Sequence, residues 1–166
     1  CIIIPMRILG IDPGFERLGV AIIEKSFGSA QNKELVVFSE CFKTSAKLEF
    51  FERLVLIGEE IHKVIKTYKP DALAIETLFL TTNQKTVMHV AEARGVVIYE
   101  AKKTGLKIFE FSPPQIKIAT TGYGKATKEQ MIKMVKLLVT IDASKKSDDE
   151  LDAIAIGLTA LAHIRQ

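Results

Sequence analysis

Four acidic residues stand where side chains distant in the sequence can act together. Asp12 ends an apolar segment just before a Pro-Gly turn, and Glu76 ends a second one, Ala72 to Ile75. Asp149 and Asp152 open the last predicted helix and share one of its faces. Asp12 alone is typical of a turn, and an acid in a first helical turn complements the helix dipole. Asp152 lies among apolar residues, where an unpaired charge is costly to bury.

If these carboxylates meet at one point, their repulsion calls for cations. Oxygen ligands favour Mg²⁺, with Mn²⁺ as a substitute. Two such ions can stabilise both the attacking and the leaving oxygen of a scissile phosphate. Asp148 also shares a face with Asp152, so spacing alone does not choose between Asp148 and Asp149. The two cysteines and three histidines form no zinc pattern.

The elements that would carry these residues follow a regular order. Segments rich in β-branched and aromatic residues predict strands, and apolar residues spaced by three, four and seven predict helices. The predicted strands are 6–12, 18–24, 35–42, 72–75 and 106–111, and the predicted helices are 47–68, 84–103, 115–120, 127–139 and 148–164. Short loops favour an antiparallel meander for the first three strands, and the intervening helices favour parallel crossovers for the others.

This order predicts an α/β domain of the ribonuclease-H-like fold, with a five-stranded mixed sheet flanked by helices on both faces. Actin-like ATPases and sugar kinases share part of the order, but their architecture needs two such domains. With 166 residues, 48% of them apolar, the chain suits one domain over residues 1–166. Residues 1–5 are apolar and are interpreted as a tag or leader before a natural start at Met6.

Positive charge is concentrated in one third of the sequence. Residues 102–146 hold ten lysines against three acidic residues, a net charge of +7, whereas the remainder carries −4, giving the +3 of the whole chain. Lys117, Lys125 and Lys128 lie in this cationic third. A cationic surface beside an acidic remainder favours binding of a polyanion such as DNA.

Five segments of the sequence form a recognisable set. They are Met6–Gly14 (MRILGIDPG), Gly19–Ile22 (GVAI), Ala74–Phe79 (AIETLF), Ala93–Val96 (ARGV) and Asp149–Ile156 (DELDAIAI). In order and spacing they resemble the RuvC family of Holliday-junction resolvases, of the ribonuclease-H-like superfamily. The likeness covers nearly the whole chain except residues 1–5.

The resemblance implies that Asp12, Glu76, Asp149 and Asp152 are the catalytic carboxylates that bind the metal ions, and it favours Asp149 over Asp148. It implies that Lys128 stabilises charge in the transition state and that Lys117 contacts a phosphate.

The resemblance also implies how the substrate is held and cut. Phe79 would stack on bases near the junction centre, beside DNA contacts from Lys117 and Lys128. Lys125, in the same cationic third, is a further predicted DNA contact. The helix containing Ala91–Val96 would form the interface of a homodimer, which nicks two opposed strands symmetrically in recombination and repair. A complex with a branch-migration helicase is implied as well.

Other functions stay open at this stage. The main alternative is a ribonuclease-H-like nuclease that acts on structured RNA, such as a ribosomal RNA precursor. A metal-free DNA-binding module is a further one. No apolar run is long enough to span a membrane and no signal peptide is evident, so we expect a cytoplasmic protein with reduced thiols at Cys1 and Cys41.

Overall fold

The computed structural model describes residues 6–25, 33–78, 84–141 and 145–164. Residues 1–5 and Phe79 lie outside these ranges, so the leader and the stacking aromatic stay predictions. In chain order the elements are β1 (Arg7–Asp12), β2 (Arg17–Glu24), β3 (Glu34–Lys43), α1 (Phe50–Tyr68), β4 (Ala72–Glu76), α2 (Gln84–Lys103), β5 (Lys107–Phe111), α3 (Pro113–Thr121), α4 (Lys128–Leu138), β6 (Val139–Thr140) and α5 (Asp148–Ile164).

The strands form one mixed sheet in the order β5-β4-β1-β2-β3-β6. β1, β2 and β3 make the predicted antiparallel meander, and β4 and β5 extend it in parallel from β1. The prediction of five strands was wrong, because the described residues form six. Val139 leaves the predicted helix in an extended conformation and pairs with Glu34 of β3. β-Branched Val139 and Thr140 suit a strand, but two residues are too few to show a period.

Each face of the sheet is covered by its own set of helices. On β1, Leu9 and Ile11 point to one face and Ile8 to the other, as expected from the alternation of side chains along a strand. α1 and α2 pack on the Leu9 face, whereas α3, α4 and α5 pack on the Ile8 face. In the described ranges, no helix combines the length and apolarity needed to cross a membrane.

Local capping sets where α3 and α4 begin, and both helices line the site described below. Ser112 and Gln115 exchange hydrogen bonds at the start of α3, and Thr127 and Gln130 do the same at the start of α4. Such reciprocal capping satisfies backbone N–H groups that have no partner within the helix. Lys128 is thereby fixed in the first turn of α4.

Glycines allow α5 to lie directly against the sheet. A Cβ atom on Gly10 of β1 would collide with the carbonyl oxygen of Ala153, and it would lie 2.9 Å from the backbone nitrogen of Gly157. A Cβ atom on Gly19 of β2 would collide with the carbonyl oxygen of Asp149. The first turns of α5 therefore approach β1 and β2 at a distance that no other residue type permits.

We expect Gly10→Ala to lower the free energy of unfolding by about 2–3 kcal/mol, because backbone atoms of α5 cannot move aside as a side chain could. Gly95→Ala in α2 is the matched control, since a methyl group there meets no atom within 4 Å. It should stabilise the protein by about 0.5–1 kcal/mol through helix propensity. Urea denaturation measures both values. Equal effects of the two substitutions would contradict the close approach of α5.

Candidate active site

Three of the four predicted acids line one cavity at an edge of the sheet. Asp12 and Glu76 end β1 and β4, which are parallel neighbours, so both side chains emerge at the same edge. Asp152 joins them from the second turn of α5. The cavity has a volume of about 190 Å³, and its charged lining residues are Asp12, Glu76, Asp152, Lys117 and Lys128. Apolar side chains of α3, α4 and α5 complete its walls.

Asp12 is the most strongly perturbed of these acids. Burial, followed by repulsion from Asp152, Glu76 and Asp149, raises the pKa of Asp12 to about 7. Burial also raises the pKa of Glu76 and of Asp152, and Asp152 adds to the effect on Glu76. The carboxylates are thus close enough to disfavour one another's ionised forms.

Lys128 is the nearest cation to this group. Its Nζ lies 3.1 Å from Oδ2 of Asp152 and 3.3 Å from Oδ2 of Asp148. Partial burial acts to lower the pKa of Lys128, but the hydrogen bonds to Asp152 and Asp148 outweigh it and raise the pKa above its usual value. The lysine therefore places a permanent positive charge beside the cavity.

Asp149, the fourth predicted acid, is held outside the cavity. Its Oδ2 accepts hydrogen bonds from Nε and Nη2 of Arg17, at 2.9 and 2.5 Å, and from Sγ of Cys41 at 3.4 Å. Burial tends to raise the pKa of Asp149, but the hydrogen bonds from Arg17 and Cys41 bring it below the usual value. Asp149 still lies near enough to contribute to the raised pKa of Asp12.

The donor set fits a hard divalent cation. Asp12, Glu76 and Asp152 offer only oxygen, and burial together with repulsion from the neighbouring acids raises the pKa of Asp12, so a bound cation would favour its ionised form. Within the ranges that the structure describes, however, no three His, Cys, Asp or Glu side chains are already arranged to hold a metal ion. The donors have the right chemistry, and side-chain rotation is needed to bring them onto one ion.

Two arginines that the sequence did not single out anchor the acids. Arg94 of α2 donates from Nε to the backbone oxygen of Glu76, at 3.1 Å, and its Nη2 lies 2.6 Å from Oε2 of Glu110. Arg17 holds Asp149 as described above. The hairpin pairing of β1 with β2 places Arg17 near the Asp12 end and could have suggested it. Arg94 lies in the Ala93–Val96 segment that supports the resemblance, but no role was predicted for it.

The remaining predicted lysines differ in position. Lys117 of α3 lines the cavity, as a phosphate contact would require. Lys125 lies on the exposed loop before α4 and is not among the residues that line the cavity. The structure therefore places Lys117 and Lys128 with the acids, and it places Lys125 outside the cavity lining. The roles of all three stay predictions.

We expect Asp12→Asn to stabilise the metal-free protein at pH 8. The pKa of Asp12 is about 7 in the folded protein and near its ordinary value of 3.8 in the unfolded chain, so the wild type loses stability as pH rises from about 4 to 7. The gain from the uncharged amide should reach up to about 4 kcal/mol above pH 7 and vanish near pH 4.

Denaturation in EDTA at pH 4.5, 6 and 8 measures this difference. Glu129→Gln, on the exposed side of α4, is the control and should change stability little at any of these pH values. A gain for Asp12→Asn that does not depend on pH would show that burial and the neighbouring acids do not disfavour the ionised form of Asp12.

Comparison with known proteins identifies the family. The sequence profile described as "Crossover junction endodeoxyribonuclease RuvC" matches residues 8–160. A protein of that name from Thermosipho melanesiensis is 42% identical over 151 residues, which cover 91% of this chain and 94% of that protein. Another from Caldicellulosiruptor saccharolyticus is 42% identical over 159 residues, which cover 96% and 92%.

Solved structures agree with the sequence relationship. Thermus thermophilus RuvC superposes with a TM-score of 0.87 at 29% identity, covering 96% of both chains. The same protein in complex with a Holliday junction substrate gives 0.88 at 29% identity, covering 96% of this chain and 95% of that one. The predicted ribonuclease-H-like fold is confirmed, and the family comprises metal-dependent nucleases. This chain therefore belongs to the RuvC family of crossover junction endodeoxyribonucleases.

Proposed function

We propose that this protein resolves Holliday junctions by metal-dependent hydrolysis of one phosphodiester in each of two opposed strands. The observation that carries the proposal is the convergence of Asp12, Glu76 and Asp152 on one cavity, where burial, and then repulsion from the neighbouring acids, raises the pKa of Asp12 to about 7. Such crowding weakens the fold unless cations bind there. The relationship to a protein whose structure was solved with a Holliday junction substrate supports the choice of substrate.

Asp12, Glu76 and Asp152 would hold Mg²⁺, or Mn²⁺ in its place, with Asp149 as a fourth ligand. Oxygen-only donors select these ions over zinc. When bound, two ions per site would stabilise the negative charge that develops on the attacking and leaving oxygens. Because the apolar walls exclude bulk water from one side of the cavity, charges within it interact more strongly than in solution.

Two lysines would orient the scissile phosphate. Lys128 keeps its proton beside Asp152, so it offers a positive charge where the phosphate becomes most negative. Lys117 faces the same cavity from α3 and would contact a phosphate oxygen. Lys125, on the exposed loop between α3 and α4, would contact the DNA backbone farther from the cut.

Phe79 follows Glu76 by three residues and would stack on bases opened near the junction centre. Aromatic stacking does not depend on base identity. The edge at which Glu76 ends β4 would therefore combine cleavage of the backbone with contact to unpaired bases. A branch-migration helicase as partner, and a cytoplasmic location, stay predictions.

Symmetric cutting requires two sites, and the helix pair α1–α2 offers a surface for dimerisation. A groove of about 600 Å³ between these helices is lined by apolar side chains that include Leu54, Val55, Val96 and Tyr99. Val55 is 60% exposed and Tyr99 63% exposed, which is unusual for adjoining large apolar residues. Ala93 of the predicted interface helix is fully buried against the sheet of its own subunit. The adjoining exposed face of α2 would contact the second subunit.

We expect Asp152→Asn to abolish cleavage of a synthetic four-way junction in Mg²⁺ while leaving junction affinity within about threefold of wild type. The substitution removes a cation ligand but keeps the size of the side chain, and affinity comes mainly from contacts to the DNA backbone. Rates are measured with labelled strands and affinity by gel shift in EDTA. Cleavage by the variant at the wild-type rate would contradict the site.

The same assay separates the junction from the main alternative substrate. Wild-type protein should nick paired strands of the junction and leave plain duplex DNA and a folded ribosomal RNA fragment largely intact. Preferential cleavage of the RNA would instead favour the structured-RNA nuclease. A variant such as Asp12→Asn, tested on each substrate, excludes contaminating nucleases.

We expect Val55→Asp to convert a dimer to monomers at micromolar concentration, because it buries an unpaired charge in the proposed interface. Leu137→Asp is the control, since Leu137 is similarly exposed, at 56%, but lies on α4 away from the groove. Sedimentation velocity measures the oligomeric state, and circular dichroism checks folding. A dimer that survives Val55→Asp would place the interface elsewhere.

A further inference from the structure

We propose that Arg17 is a positioning residue that binds the carboxylate of Asp149 when no metal ion is present. It would release Asp149 when a divalent metal ion binds. This inference rests on the proposed metal site, because it assigns Asp149 two alternative partners. Arg17 would thus keep the fourth carboxylate away from Asp12 until an ion arrives. It would also make the affinity for metal depend on a residue that does not itself bind the ion.

The contacts of Asp149 show what holds it now. Both Nε and Nη2 of Arg17 converge on a single carboxylate oxygen, Oδ2, and Sγ of Cys41 approaches the same oxygen. Asp152, three residues along the same helix, faces the cavity and contacts Lys128 instead. The two acids on one face of α5 therefore pair with different cations: Asp149 with Arg17 of β2, and Asp152 with Lys128 of α4.

The backbone of Asp149 is close enough to the acids for its side chain to change partner. Gly19 lacks a side chain, which lets the Asp149 carbonyl rest on β2 beside Asp12. Gly19 also pairs directly with Asp12 across the hairpin. A rotation of the Asp149 side chain, without movement of the helix, would thus be enough to exchange Arg17 for an ion next to Asp12.

The ion pair is weak enough to be exchanged. The Arg17 side chain is 50% exposed and that of Asp149 is 23% exposed. Ion pairs that water can reach contribute little net stability, because water and salt screen the attraction and holding two side chains in one geometry costs entropy. A divalent cation carries twice the charge of a guanidinium and can bind a carboxylate oxygen directly, so it can compete with Arg17 for Asp149.

Among the described residues, internal cations already contact two of the four acids. No three acidic, histidine or cysteine side chains there are arranged for an ion, although three carboxylates line one cavity. Arg17 removes Asp149 from that set, and Lys128 engages Asp152. An ion that takes Asp149 and Asp152 as ligands must therefore compete with Arg17 and Lys128. The affinity of the site for a metal ion is then lowered by a factor that depends on the strength of the Arg17–Asp149 ion pair.

The test is direct binding of Mn²⁺ alone, measured by calorimetry on the full chain. Arg17→Gln should bind Mn²⁺ about three- to tenfold more tightly than wild type, because the competitor for Asp149 is gone. Introduced into Asp149→Asn, the same substitution should have less than about a twofold effect. Lys43→Gln is the matched control, since Lys43 lies opposite Arg17 on β3 and removes the same charge without touching Asp149.

A second measurement follows Arg17 itself and holds even if a variant fails to fold. In wild type, the Arg17 Nε–H resonance should be protected from solvent exchange in EDTA and lose protection in saturating Mg²⁺. Unchanged protection, or Mn²⁺ affinity in Arg17→Gln equal to or below wild type, would overturn the role of Arg17. An equal gain in the Asp149→Asn background would also overturn it. If wild type bound no Mn²⁺ at all, the proposed metal site would fail instead.

Discussion

The burial of Asp12 among other carboxylates at the end of β1 is the constraint on which the rest of this structure depends. Asp12 carries its charge where burial and three neighbouring acids oppose it, and the result is a carboxyl that titrates near pH 7. A fold that only maximised stability would not place an acid there. The neighbouring elements can be understood by how each supplies, withholds or redistributes positive charge around that point.

Glycines create the crowding, because they set how near α5 can lie to the strands. Gly10 and Gly19 have no Cβ to separate the sheet from the carbonyl oxygens of Ala153 and Asp149. Contact at backbone distance buries the apolar face of α5 and at the same time brings Asp152 to Asp12. Packing and electrostatics are therefore coupled at this interface. The same close approach that stabilises the core forces the acids together.

The sequence alone was enough to predict the fold class, five of the six strands and part of the site. Carboxyl ends of adjacent parallel strands meet at one edge, so the segments ending at Asp12 and Glu76 already implied a common location. Helical spacing could show that Asp149 and Asp152 share a face, but not that Arg17, 132 residues from Asp149, would hold one of them. Such pairing depends on side-chain rotamers after folding. β6 escaped prediction because two residues carry no periodic signal.

Positively charged side chains are distributed unevenly among the acids, and this asymmetry determines which acid gains most from a bound metal ion. Lys128 neutralises part of the charge on Asp152, Arg17 occupies Asp149, and Arg94 contacts only the backbone of Glu76. Asp12 has no hydrogen-bonded cation among the described residues and has the most to gain from one. A divalent ion is therefore expected to gain most of its binding energy at the end of β1, because Asp12 there interacts with each of the other acids. An ion there would relieve a repulsion that the folded chain cannot relieve by itself, which couples metal affinity to the close packing of α5.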